Sequence, residues 1–98
     1  MEYKKFIESL SSENPPEKIS GVLQSLWHDA KGNWAKAHEI IQDINNHDAS
    51  LVHAYLHRKE GDLGNARYWY SKAGEKEFSG SLNDEWEFIL KFVLNKEL

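Results

Sequence analysis

Residues 25–41 read SLWHDAKGNWAKAHEII and residues 54–70 read AYLHRKEGDLGNARYWY. Laid one over the other, they agree at a fixed offset of 29 residues: His28 falls on His57, Gly32 on Gly61, Asn33 on Asp62 and Ala37 on Ala66. The shared pattern is apolar residue, histidine, polar run, glycine, cap, apolar residue, small residue. A glycine at that place takes the left-handed conformation on which helices often end. Asn33 or Asp62 directly after it can cap the next helix. Two helix–turn–helix units in register are the mark of a helical solenoid.

The rest of the chain keeps the same period. No segment alternates with period two, and the only two prolines, Pro15 and Pro16, are adjacent. Tyr3, Phe6, Ile7 and Leu10 mark a short first helix. Asn14 is placed to cap a second, with Pro15 at its first position and Glu17 three residues after the cap, running to Lys31. Asn33 opens a third helix through Ile44, and ASLVHAYLHRKE makes a fourth that stops at Gly61. Asp62 opens a fifth, with Leu63, Ala66, Tyr70 and Ala73 on one face. Ser81 with Asp84 resembles a capping box ahead of a sixth, whose inner face carries Leu82, Trp86, Ile89, Leu90 and Val93. The expected fold is all-α: one domain over 1–98, repeat one at about 19–46, repeat two at about 48–76, and a C-terminal capping helix at about 81–95.

The stretch EGDLGNARYWYSKAG resembles a tetratricopeptide or Sel1-like repeat. Gly61 and Asp62 match its turn, Ala54, Ala66 and Ala73 its small contact residues, and Tyr70 its aromatic. Ser25, Ala37, Ile41 and Ile44 stand in the corresponding places of the first unit. The repeat is shorter than the family's roughly 34 residues and lacks its closing proline. The chain also resembles a group of short proteins, a likeness that implies a fold and no activity. The family resemblance implies two antiparallel helix pairs with the first and last helices capping the stack. Its usual role is to bind a protein or peptide in a concave surface. Val22, Leu26 and Asp29, with Leu51, Tyr55, Arg58 and Lys59, are the expected lining.

Composition narrows the function further. A formal net charge of −4 argues against a nucleic-acid partner, which needs a basic face, and against an anionic membrane surface. With no cysteine, thiolate metal sites, thiol nucleophiles and disulfides are excluded. MEYKKFIESL lacks the apolar run of a secretory leader, so a cytoplasmic location is expected by default. No nucleotide-binding glycine loop or nucleophile–base motif is present, and neither an enzymatic activity nor a cofactor is expected.

One feature supports a competing reading, a small metal- or ligand-binding protein or enzyme built on a cluster of His28, His53 and His57. His53 and His57 are four apart on one helix, a chelating spacing, and His28 in the neighbouring repeat is a possible third member of a polar site. HAYLH lacks the glutamate that a zinc-hydrolase helix carries beside its first histidine, so a structural role is favoured and no metal is expected. The apolar stripe of this helix, Leu51, Val52, Tyr55 and Leu56, lies opposite the two histidines, whereas the family orientation turns the histidines inward. Repeat stacking also sets Asp29 beside Arg58 and Lys31 beside Glu60, two pairs of opposite charge, and Asp29–Arg58 is the expected inter-repeat salt bridge. Tyr70 is expected in the core, Trp69 at its flank and Tyr68 outside. Phe88 and Phe92 project opposite the inner face of the last helix. Either the first helix covers them, or they form a patch for a partner or a homodimer.

Overall fold

The computed structural model describes residues 1–97, and among them the secondary structure is entirely helical. Six α-helices follow in order: α1 Tyr3–Ser9, α2 Gly21–Ala30, α3 Trp34–Ile41, α4 His47–Lys59, α5 Leu63–Ala73 and α6 Leu82–Lys96. Helices α2 and α3 fold back on one another, as do α4 and α5. The two turns are the same at the level of single hydrogen bonds. Gly32 N–H donates to Asp29 C=O and Asn33 N–H to His28 C=O, while Gly61 N–H donates to Arg58 C=O and Asp62 N–H to His57 C=O. Both glycines are left-handed, at φ +83° and +88°. Asn33 and Asp62 then cap the following helix by accepting from the N–H three residues on.

Small residues set the closeness of each hairpin. Ser25 and Ala37 face one another between α2 and α3, and Ser25 Oγ donates to Ala37 C=O at 2.8 Å. Their counterparts Ala54 and Ala66 are equally buried between α4 and α5. Ser81 caps α6 by accepting from Asp84 N–H at 3.0 Å.

Helix α4 lies at the centre and packs against α2, α3, α5 and α6. Every residue from Ala49 to His57 is buried. The choice between burying the apolar stripe and burying the histidines therefore does not arise, because both faces are covered. Helix α1 packs on α6 through Phe6 against Trp86, and Tyr3 reaches Glu87. Trp86 Nε1 donates to Leu26 C=O, tying α6 to α2.

The start of the second helix differs from expectation. Asn14 and Pro15 lie in an irregular segment, and α2 begins six residues later behind Ser20, whose Oγ accepts from Leu23 N–H. Lys18 in that segment takes a left-handed backbone at φ +63°, which a continuous helix does not allow.

Two glycines three residues apart test these assignments with opposite signs. A methyl added at Gly61 or Gly64 meets nothing within 4 Å, so only the backbone responds. Gly61→Ala is expected to cost about 1 kcal/mol from its left-handed φ, whereas Gly64→Ala, inside α5, gains about 0.5–1 kcal/mol. Urea unfolding of both variants reads the signs; equal signs contradict the turn.

Candidate functional site

Helix α4 carries His53 and His57 one turn apart on the side facing α3 and α5. Helix α3 adds His38, one turn beyond Trp34. The three imidazoles form a near-triangle, with ring centroids 4.9 Å (His38–His53), 5.2 Å (His38–His57) and 4.9 Å (His53–His57) apart. Each offers a ring nitrogen within 4.8 Å of the others'. Two tryptophans hold the rings in place: Trp34 stacks on His38 at 4.9 Å and Trp69 on His53 at 3.9 Å. Trp34 is itself fixed by donating Nε1–H to Leu56 C=O at 2.8 Å.

The protonation pattern follows from the contacts. His57 Nδ1 lies 2.6 Å from Glu60 Oε1, and a carboxylate only accepts, so the His57 proton sits on Nδ1. His53 Nε2 and His38 Nε2 are 3.1 Å apart, so one of them donates to the other. Burial, with the charges of His38, His57 and Lys72 adding, pushes the His53 pKa down to about 4. Burial, and His57 next, also lowers that of His38. Both rings are therefore neutral near pH 7.

Of the histidines singled out by spacing, His53 and His57 come together and His28 does not. His28 turns to the edge of Trp27, 5.1 Å between centroids. His38 takes its place. Its signal lay one turn after Trp34 on the same face of α3.

On the opposite side of α4 lie two buried carboxylates. Asp29 is 2% exposed; its Oδ2 accepts from Tyr55 OH at 2.7 Å and its Oδ1 from Lys59 Nζ at 2.9 Å. Glu85 is 1% exposed; it accepts from Arg58 Nη1 at 2.8 Å and from Tyr70 OH, while Arg58 Nη2 also donates to Gly80 C=O. Burial, then the bond to its carboxylate, holds each tyrosine above the usual phenol range. The expected Asp29–Arg58 bridge is replaced by Asp29–Lys59, because Arg58 turns to α6. Lys31 donates to Leu10 C=O and Ser12 C=O rather than meeting Glu60, which His57 engages. Glu85 was legible only as a charge one turn before Ile89 in an apolar stripe.

The expected groove is core. Val22, Leu26, Asp29, Leu51 and Tyr55 are buried, and of that set only Arg58 and Lys59 reach solvent. The covering element is α6 together with the other hairpin, since α4 is central. A different concavity opens instead, a cleft of ≈ 120 Å³ between the start of α4, the end of α5, residues 75–80 and α6. Leu51, Phe78, Phe88, Ile89 and Phe92 supply its apolar wall. Phe88 remains 54% and Phe92 39% exposed, for α1 packs on a different face of α6 and leaves them uncovered. Tyr70 is core, Trp69 flanks it and Tyr68 is exposed, as expected.

No helix among the described residues is long and apolar enough to cross a membrane. No protein-family model, curated protein or solved structure matches the chain.

Arg58→Met leaves the Glu85 charge buried and unpaired, and is expected to destabilise by about 3–5 kcal/mol; Arg67→Met, at an exposed site, changes stability by under about 0.5 kcal/mol. Denaturant titration of the pair checks both. The histidines set a pH dependence. His53 binds its proton more readily unfolded, near 6.5, than folded, near 4. Its contribution is full above pH 6.5 and drains as pH falls toward 4, up to ~3 kcal/mol. His38 acts in the same sense, and His47, raised by its bonds to Asp48 and Glu75, in the opposite one. Comparing His53→Phe with the parent isolates the term: the variant should lose less stability on acidification.

Proposed function

We propose that this chain is a non-catalytic protein-interaction module. Its scaffold is two helix hairpins of the tetratricopeptide or Sel1-like kind, with α1 and α6 as flanking caps. The duplicated glycine turn and the small residues Ser25, Ala37, Ala54 and Ala66 support that reading. The docking face is the cleft beside α6. One observation carries this: Phe88 and Phe92 stand open on a helix whose other face is fully packed, at the mouth of an apolar cleft. Exposed aromatic pairs of this kind mark interaction surfaces.

The cleft suits a short segment of a partner protein that inserts one bulky aliphatic side chain. Lys76 and Glu75 both line the cleft and Lys96 is paired with Asp48, so the anchor is selected by the apolar wall rather than by charge. The small size of the cleft matches one anchor rather than a long peptide.

A photo-crosslinking amino acid placed at Phe88 is expected to give a discrete adduct in the source cell. The same group at Lys36, on an exposed part of α3, gives none. Adding Phe92→Glu abolishes the adduct at position 88. A species of twice the chain mass identifies the occupant as a second copy, a homodimer through α6. Crosslinks alike at both positions, or none at either, overturn the proposal.

A further inference from the structure

The cleft leaves the histidine triangle unexplained, and the triangle is built unlike an ordinary structural cluster. Three imidazoles come from two helices, and two of them are almost wholly withdrawn from solvent. Trp34 stacks on His38 and Trp69 on His53, and Glu60 holds His57 through Nδ1. Each ring brings one nitrogen within 4.8 Å of the others', and the Nε2 atoms of His38 and His53 face each other at 3.1 Å.

The distances fit a cation. Zinc binds imidazole nitrogen at about 2.0–2.1 Å, so two ligands on a tetrahedral ion stand about 3.3 Å apart. His38 Nε2 and His53 Nε2 are 3.1 Å apart. His57 engages Glu60 through Nδ1, which fixes the tautomer and leaves Nε2 with its lone pair free. A carboxylate on the far nitrogen of a histidine is the outer-shell arrangement of zinc sites. His38 is only partly buried, so the triangle opens to solvent at that corner. The donor set, three imidazoles without thiolate, suits a late first-row divalent ion.

We propose that His38, His53 and His57 form a three-imidazole Zn²⁺ site, with Glu60 orienting His57 and the fourth position open to solvent. Binding moves the proton that His38 and His53 share from Nε2 to Nδ1 of the donor ring, and draws the His57 nitrogen, which lies within 4.8 Å of the other two, in toward the tetrahedral spacing. The neighbouring group of His57, Glu60 and Asp62 is not a second site: it reuses His57, and Asp62 is spent capping α5.

Isothermal titration of the metal-free full chain with Zn²⁺ at neutral pH tests this. Expected is saturable one-to-one binding that raises the thermal midpoint and changes the emission of Trp34 and Trp69. His38→Gln, at a partly exposed position where folding is readily checked by circular dichroism, should weaken binding by more than tenfold. Glu60→Gln should weaken it by about 10–100-fold. His28→Gln and His47→Gln, outside the triangle, should leave it unchanged. Absence of saturable binding to the folded parent overturns the proposal. So does binding that persists unchanged in folded His38→Gln, or that falls as much in His28→Gln or His47→Gln.

Discussion

From Ala49 to His57 helix α4 is covered on every side, and the polar residues of that stretch are covered with it. That constraint organises the molecule. A buried helix has no wet face on which to place His53, His57, Tyr55 or Arg58, so each neighbouring element must answer one of them. Helix α2 supplies Asp29 to Tyr55 and Lys59, and α6 supplies Glu85 to Arg58. Helix α3 supplies His38, and α5 supplies Trp69 to His53 and Tyr70 to Glu85. Among the described residues, no buried side-chain nitrogen or oxygen lacks a partner.

The two carboxylates are alike in chemistry and unlike in consequence. Each accepts from one tyrosine and one cation. Lys59 reaches Asp29 from a solvent-exposed position, so that pair is partly screened. Arg58 is mostly withdrawn and also bonds the backbone at Gly80, which holds the extended segment before α6 against the core. Losing one partner of such a pair is expensive, whereas replacing both by apolar groups need not be. The pair ties α6 to α4 at the position that puts Glu85 beside Arg58. That position also turns Phe88 and Phe92 outward and shapes the cleft.

The duplicated motif separates two kinds of information. Gly32 and Gly61, with their caps, were readable because they obey local rules: a left-handed turn and an N-cap need only a few neighbouring residues. That Phe88 and Phe92 project away from the apolar stripe of α6 was readable from helical period; that α1 leaves them uncovered was not. The start of α2 was misread because Asn14 and Pro15 satisfy the same local rules that Ser20 satisfies. Packing chose between them. The groove was misplaced because it was carried over from a longer array, whereas here α6 and the second hairpin close over that surface.

The sequence by itself determined six helices, two matching turns, the small residues between paired helices and the apolar faces. Each depends on residues within about one turn of each other, where backbone sterics and side-chain period decide. Only the tertiary structure decided that His38 rather than His28 joins His53 and His57, and that Arg58 goes to Glu85 rather than Asp29. It alone showed that α4 is buried all round from Ala49 to His57. Those outcomes depend on how helices distant in sequence cross, and a charge or an imidazole reads the same in a one-dimensional pattern whichever partner it meets.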